Sequence, residues 1–442
     1  MVLLISTYDL GRQPTGLAAP AAWLRQAGIA CRVCDLAVDR LPADALDGVA
    51  LVALSLPMHT ATRLALPVIR ALRDRAPQLP ICCFGLYAPL NERRLRDEGV
   101  AIVLGPECQE ALVAAATAAA SGEPPAPPPT RAPATVPDRA GLPALDRYAR
   151  LQWPDGREGL AGTTESTRGC KHLCRHCPIV PVYRGRFVAV PADVVLADIR
   201  WQVERGATHV TFSDPDFFNG PTHARRIVER LHREWPALTY DATIKVEHLR
   251  AHDALLPVLV DTGCAFVTTA VESLDDSVLA LLDKGHTRAD VEAVVARCRG
   301  LGLALAPTFL AFTPWTTLAG YRAFLDAVEA LGLVGHVAPV QWTLRLLVTG
   351  QSRLLELPDI QAVAEPFEPA TLVPPGRHRD PRVDRLQRRV MGLAGRAEGQ
   401  PRPAIFEAIR ALADEAVGLS AAARPPLVAR SAIPYLTEPW YC

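Results

Sequence analysis

At 442 residues the chain exceeds what one ordinary hydrophobic core serves, so two or three domains are expected. A hydrophobic share of 49% argues against a disordered polymer, and a formal net charge of zero argues against a general nucleic-acid binder. Eleven cysteines over this length do not read as a secreted disulfide framework, no run reaches the ~18 apolar residues of a membrane span, and Met1–Asp9 lacks the basic region of a signal peptide, so a reducing cytoplasm is the expected setting.

The first 120 residues alternate strand and helix patterns. Val2–Ser6, Ile29–Asp35, Val49–Leu54 and Ile81–Phe84 read as buried strands. Gln13–Ala27 and Thr60–Arg75 have helical spacing, followed by a weaker helix and strand and the helix Glu107–Ala120. Such βα repetition predicts an α/β, flavodoxin- or Rossmann-like doubly wound domain over 1–120, with ligand at the carboxyl ends of its strands. Residues 121–150 open with seven prolines between Ser121 and Pro137 and read as a semi-rigid linker. A second βα series fills 151–350. Its strands are expected at Thr163–Thr167, His209–Ser213, Leu238–Thr243, Ala265–Val271, Leu303–Phe309 and Val340–Leu346, a partial (β/α)6 barrel with its chemistry at the strands' carboxyl ends. From 351 to 442 the pattern is a helical, arginine-rich extension ending in an aromatic tail.

The most informative stretch follows the first strand of that second series. Cys170, Cys174 and Cys177 form a C-x3-C-x2-C run. A 4Fe-4S cube ordinarily takes four thiolates, so a local set of three leaves one iron open, as a catalytic metal requires. The alternative is a zinc knuckle completed by His172 or His176. The spacing and its flanks resemble the cluster loop of the radical S-adenosylmethionine (SAM) enzymes. That resemblance implies a 4Fe-4S cluster, S-adenosylmethionine as second cofactor, an external electron donor such as flavodoxin or ferredoxin, and a small-molecule substrate. It further implies reductive cleavage of a C–S bond to start radical chemistry, with methyl transfer or 3-amino-3-carboxypropyl transfer as special outcomes. A non-catalytic metal-binding protein on a decayed barrel is the alternative from another class.

Within the resemblance, further residues fall at cofactor-binding positions. Glu272 ends a strand and Lys284 follows twelve residues later, which suits a ribose acceptor and a cation for the methionine carboxylate, with Ser273 in the same set. Lys284 also stands out because lysine occurs only at 171, 245 and 284. Asp214 and Asp216, in Ser213-Asp214-Pro215-Asp216, suit the cofactor's ammonium, the alternative being a turn and helix cap. Thr308 matches a ribose-contacting position, and Arg345 is a weaker candidate.

The stretches Leu54–Met58 and Phe84–Leu90 make the first domain resemble the cobalamin-binding-type domain of one class of these enzymes. A corrin is therefore an additional candidate cofactor, although the Asp-x-His-x-x-Gly motif is missing, and a domain that binds nothing is the alternative. Cys31, Cys34, Cys82 and Cys83 lie in strands and read as core thiols. The end, Ile433 to Cys442, resembles the tail of a radical SAM group that continues as Cys or selenocysteine, then Ala-Glu-Pro. Cys442 is accordingly a candidate catalytic thiol, folded back over the barrel mouth; a plain docking tail is the alternative.

Overall fold

The structure is a computed structural model, and it describes residues 1–121, 134–362, 377–396, 399–419 and 431–438. Its first sheet is parallel, with β1 (Val2–Ser6), β2 (Cys31–Asp35), β3 (Leu51–Ser55), β4 (Ile81–Phe84) and β5 (Ile102–Val103) in the order β2-β1-β3-β4-β5. The inner strands β1, β3 and β4 are almost wholly apolar because both faces are covered, whereas the edge strand β2 carries Arg32 and Asp35. Alternate residues serve different cores: Leu3, Ile5, Val52 and Leu54 pack with Leu66, Ile69 and Leu72 of helix His59–Arg75. Val2, Leu4, Leu51 and Ala53 pack with Leu17 and Leu24 of helix Thr15–Gln26 and Leu112 of helix Gln109–Ser121. Cys82 and Cys83 are fully buried, one in each core.

The second sheet contains β6 (Arg150–Gln152), β7 (Glu158–Thr164), β10 (His209–Phe212), β11 (Thr239–Thr243), β12 (Cys264–Glu272), β13 (Leu305–Phe309) and β14 (Tyr435–Leu436). A separate hairpin pairs β8 (Thr167–Gly169) with β9 (Phe187–Ala189). The large sheet runs β13-β12-β11-β10-β7-β6-β14, with β7 and β10 to β13 parallel. The sixth barrel position differs from expectation. Pro339–Trp342 is a 3-10 turn, and only an isolated bridge between Phe312 and Arg345 continues the sheet. Pro339 supplies no N–H for a ladder. Trp342 is drawn into an aromatic cluster with Phe324 and Phe406, at ring centroid distances of 5.9 and 5.2 Å. Phe406 belongs to helix Arg402–Ala416, which with helix Pro381–Ala394 adds Val383, Leu386, Val390, Ile405 and Ile409 to the barrel's outer core.

Two connections fix the sheets to each other. Arg139 is wholly buried and donates to both oxygens of Asp198 (2.7 and 3.0 Å), to Gln13 Oε1 (3.1 Å) and to the Thr163 carbonyl (2.6 Å). Tyr148 Oη donates to Asp35 at 2.9 Å. The tail adds a strap: β14 pairs antiparallel with β6, and Glu438 then ion-pairs with Arg12 of the first domain. No helix among the described residues is long and apolar enough to cross a membrane.

Arg139→Ala leaves Asp198 buried without a cation. We expect a stability loss of about 3–5 kcal/mol, the cost of breaking a buried pair from one side, measured by urea denaturation. A loss under about 1 kcal/mol would remove Arg139 from the role of inter-domain rivet.

Candidate functional site

The cysteine loop begins where the chain must turn sharply. Gly169 has φ +79°, and a Cβ there would meet Tyr183 Cδ1 at 2.4 Å and the Arg186 carbonyl at 2.7 Å, so only glycine fits. Asn219 clamps the turn, donating to the Gly169 carbonyl (3.0 Å) and accepting from the Lys171 N–H (3.2 Å). At its other end the Arg175 N–H bonds to the Leu282 carbonyl (2.9 Å), and its guanidinium reaches the Ala280 and Leu281 carbonyls at 3.2 and 3.0 Å. Arg175 thus binds the orphan carbonyls that end helix Asp276–Leu282. That contact sets Lys284 beside the loop.

Cys170 and Cys174 are buried and Cys177 half-buried. Burial pushes the Cys170 thiol up to about 11 and the Cys177 thiol up to about 12. Thiolates form here against the charge of a metal, whose binding releases the protons. Two lysines bring positive charge to the loop. Lys245 Nζ lies 3.6 Å from Cys174 Sγ and 3.1 Å from Glu247 Oε2. Lys284, 2% exposed, lowers the Cys177 thiol against its burial. The loop's own histidines have partners outside it: His176 Nε2 faces Glu272 Oε1 at 3.4 Å, and His172 Nε2 faces His248 Nε2 at 3.0 Å. The three cysteines are a donor set that suits a cube with one open iron.

Glu272 ends β12 at a register shift and has φ +67°, a left-handed conformation that costs a non-glycine residue about 1–3 kcal/mol. The twist aims its carboxylate back to the loop. Lys284 Nζ lies 3.5 Å from Glu272 Oε1, so the twelve-residue offset does bring the two together. Burial would raise the Glu272 carboxyl, but the Lys284 ammonium and the His176 ring outweigh it and hold it down at about 2. Gly285, at φ +73°, follows; a Cβ there would meet Glu247 Oε2 at 2.6 Å. Ser273 Oγ accepts from the Asp275 N–H at 3.1 Å, and Thr308 stands opposite Ala270 in the β12–β13 register.

The two aspartates after β10 are distinct. Asp214 accepts from the Ser166 N–H (2.7 Å), Ser166 Oγ (2.7 Å) and Thr167 Oγ1 (2.6 Å), stapling β10 to the strand entering the loop. Asp216 caps the Phe218 N–H through Oδ1 at 3.1 Å, while Oδ2 has no hydrogen-bond partner. Arg345 ion-pairs with Asp384 at 2.9 Å, on helix Pro381–Ala394. Cys442 lies outside the described residues. Lys245, Glu247 and His248 were not assigned from sequence, and His172 was named only as a possible zinc-knuckle ligand. The scarcity of lysine, which marked Lys284, was equally a signal for Lys245.

Between the strand ends of the first sheet and the cysteine loop lies a cavity of about 300 Å³, lined by Asp9, Arg12, Phe84, Glu165, Tyr183 and Ser213 among others. A cavity of about 940 Å³ adjoins it, sharing Thr15, Ala19, Trp23, Glu165 and Arg168. Burial raises the Asp9 carboxyl to about 7 and also raises those of Glu165 and Glu438. Glu107, beside the helix that flanks the first sheet, accepts from Tyr183 Oη (2.8 Å) and Arg168 (2.8 and 2.9 Å), so the first domain holds the back of the loop.

Residues 164–312, from the end of β7 to just past β13, match the model of the radical SAM superfamily. The chain carries a radical SAM domain. Enzymes of that superfamily use a 4Fe-4S cluster and S-adenosylmethionine. It is 25% identical over 205 residues to a tRNA-2-methylthio-N(6)-dimethylallyladenosine synthase of Pseudoalteromonas atlantica, covering 43% of this chain and 42% of that protein. The counterpart in Pseudomonas paraeruginosa is 24% identical over 278 residues, 60% of this chain and 59% of that one. The chain thus spans about four- to six-tenths of the length of these curated relatives. Among solved structures, the methyltransferase TsrM of Kitasatospora setae, with cobalamin and a 4Fe-4S cluster bound, is similar at a TM-score of 0.62 and 18% identity, over 83% of this chain and 79% of that one. The cobalamin-dependent radical enzyme OxsB, with aqua-cobalamin and S-adenosylmethionine bound, gives 0.66 and 12%, over 88% and 65%. These likenesses establish the fold: a cobalamin-binding-type sheet followed by a curled radical SAM half-barrel.

Proposed function

We propose that the chain is a cobalamin-assisted radical SAM methyltransferase acting on a small molecule, with residues 1–120 as the corrin domain and 151–350 as the barrel. The observation that carries this reading is the cavity of about 300 Å³ between the first sheet's strand ends and the residues flanking the cysteine loop, with a larger cavity adjoining it. The same order of domains in TsrM, a methyltransferase solved with cobalamin and a cluster, supports it. A zero net charge favours a small substrate over the tRNA modified by the sequence relatives. A reduced cluster supplies the electron that cleaves S-adenosylmethionine, and a corrin supplies a methyl carrier.

In this reading Cys170, Cys174 and Cys177 hold three irons. Lys284 holds the methionine carboxylate; its 3.5 Å contact with Glu272 leaves ammonium donors for a second acceptor. Glu272, ionised at neutral pH, accepts from the ribose hydroxyls, with Ser273 and Thr308 beside it. No histidine is among the described residues that line the two cavities.

Anaerobic reconstitution is expected to yield about four irons per chain and S-adenosylmethionine cleavage under reduction. Cys174→Ala should abolish that cleavage, and full activity in this variant would sink the reading. Methyl transfer further requires hydroxocobalamin retained through gel filtration and S-adenosylhomocysteine among the products. A cluster-loaded protein that retains no corrin removes the methyl-carrier part.

Lys284→Ala should weaken S-adenosylmethionine binding by roughly 1.5–3 kcal/mol, the range for a hydrogen bond to a charged group, with iron content unchanged. Unaltered affinity by calorimetry would leave Lys284 as a structural partner of Glu272 only.

We also propose Cys442 as a thiol acting at the reacting centre. Glu438 is held by Arg12, a residue of the cavity wall, and four extended residues reach about 13–14 Å. Because residues 431–438 are docked, the informative truncation removes only 439–442. Iron content and cofactor binding should persist while product formation falls or cofactor cleavage uncouples. Wild-type turnover by the truncated protein would end the idea.

A further inference from the structure

Next to the cysteine loop, on the side away from Glu272, three side chains converge that the mechanism above does not use. They are His172, from within the loop; Asp216, after β10; and His248, in helix Val246–Ala251 after β11. One donor atom from each lies within 4.8 Å of the others. We propose that His172, Asp216 and His248 bind a single zinc-class divalent ion, separate from the iron-sulfur cluster.

The first argument is an unmet need for a cation. Asp216 is 0% and His248 3% exposed. Asp216 Oδ2 has no hydrogen-bond partner, nor has His248 Nδ1, although the two atoms stand only 2.7 Å apart. The imidazole N–H direction therefore misses the oxygen. A carboxylate oxygen beside a ring nitrogen, close but out of the hydrogen-bond line, is the relation between two neighbouring ligands of one ion. A buried carboxylate oxygen without a donor is costly, and a bound cation removes that cost.

The second argument is spacing. Ligands each ~2.0–2.1 Å from one ion stand about 2.9 Å apart at a right angle and about 3.4 Å apart at the tetrahedral angle. His172 Nε2 is 3.9 Å from Asp216 Oδ2 and 3.0 Å from His248 Nε2, while the other His248 nitrogen, Nδ1, faces Asp216; a turn of the His248 ring that brings one nitrogen toward both neighbours gathers three donors that already lie within 4.8 Å of one another. The carboxylate is already oriented, since Oδ1 is fixed by the Phe218 N–H. His172 has its own outer partner, Glu247 Oε2 at 3.4 Å from Nδ1, and Glu247 also stands 3.1 Å from Lys245 Nζ. Two imidazoles and one carboxylate select zinc or a neighbouring first-row ion over magnesium or calcium, which prefer all-oxygen shells. His172 and Glu247 are 15% and 39% exposed at their side chains, which gives the ion a way in.

The proposal is independent of methyl transfer, and its test reads metal rather than turnover. Cluster-loaded protein is equilibrated anaerobically with one equivalent of zinc, desalted, and assayed for zinc and iron by mass spectrometry. One zinc per chain is expected beside about four irons, with zinc-edge X-ray absorption showing nitrogen and oxygen at ~2.0–2.1 Å and no sulfur at ~2.3 Å. His248→Ala and, separately, the more exposed His172→Ala should each weaken zinc affinity by more than the roughly 10–100-fold of losing an outer-shell partner, with iron retained. No zinc in the wild type, a sulfur shell, or wild-type affinity in both variants overturns the site. Saturating S-adenosylmethionine should leave the zinc in place; its release would assign Asp216 to the cofactor's ammonium and also overturn the proposal.

Discussion

Three thiolates in an eight-residue loop concentrate negative charge where water is largely excluded, and the local architecture follows from keeping that loop fixed and its charge met. Fixing falls to uncharged and arginine contacts: Gly169 allows the turn, Asn219 clamps its start, and Arg175 ties its end to the carbonyls of helix Asp276–Leu282. Asp214 holds the strand that leads in. Charge is met from two sides, by Lys245 at Cys174 and by Lys284 near Cys177. The parallel half-barrel suits this because successive strands all end at the same rim.

That rim also explains how much the sequence could disclose. The cysteine spacing is local and was legible outright, as were the doubly wound first sheet, whose apolar strands alternate between two cores, and the C-terminal helices. Glu272 and Lys284 were singled out from sequence as two separate cofactor contacts; their direct contact follows because a short helix returns the chain within twelve residues. The choice between Asp214 and Asp216 was not legible. It depends on Ser166 and Thr167, about fifty residues earlier, which claim Asp214 and leave one oxygen of Asp216 without a donor. The meeting of His172 with His248 spans 76 residues, and no periodicity encodes it. The sixth strand failed for a reason present in the sequence: Pro339 withholds a donor, and Trp342 has more apolar surface to bury among aromatic rings than a strand end provides.

The tail shows the same division between pattern and partner. Its aromatic and proline content indicated that it docks, and β14 does extend the sheet edge at β6 while Arg402 stacks on Tyr435 at 4.9 Å. What composition did not indicate is that Glu438 would be carried to Arg12, in the wall of the inter-domain cavity. Burial raises Asp9 and Glu438 beside Arg12, and Glu165 beside Arg168. Asp9, raised to about 7, can hold a proton near neutrality, in contrast to the ionised Glu272.

The chain's use of lysine becomes intelligible in this setting. Arginine supplies nearly all its positive charge, and arginines make the outward ion pairs, such as Arg297 with Asp253 and Arg389 with Glu415. The three lysines, 171, 245 and 284, all sit in or beside the cysteine loop. A guanidinium is planar and broad, and its fork matches a carboxylate lying in its plane. An ammonium is compact and its three donors diverge, so it can approach a rounded sulfur anion on one side and a carboxylate on another. Lys245 does this between Cys174 and Glu247, and Lys284 stands beside Glu272 with its charge also felt at Cys177. Replacing either by arginine would conserve charge but demand more room, and at Lys284, enclosed to 2% exposure, that room does not exist. Shape, rather than charge alone, keeps lysine at these positions in a chain that otherwise relies on arginine.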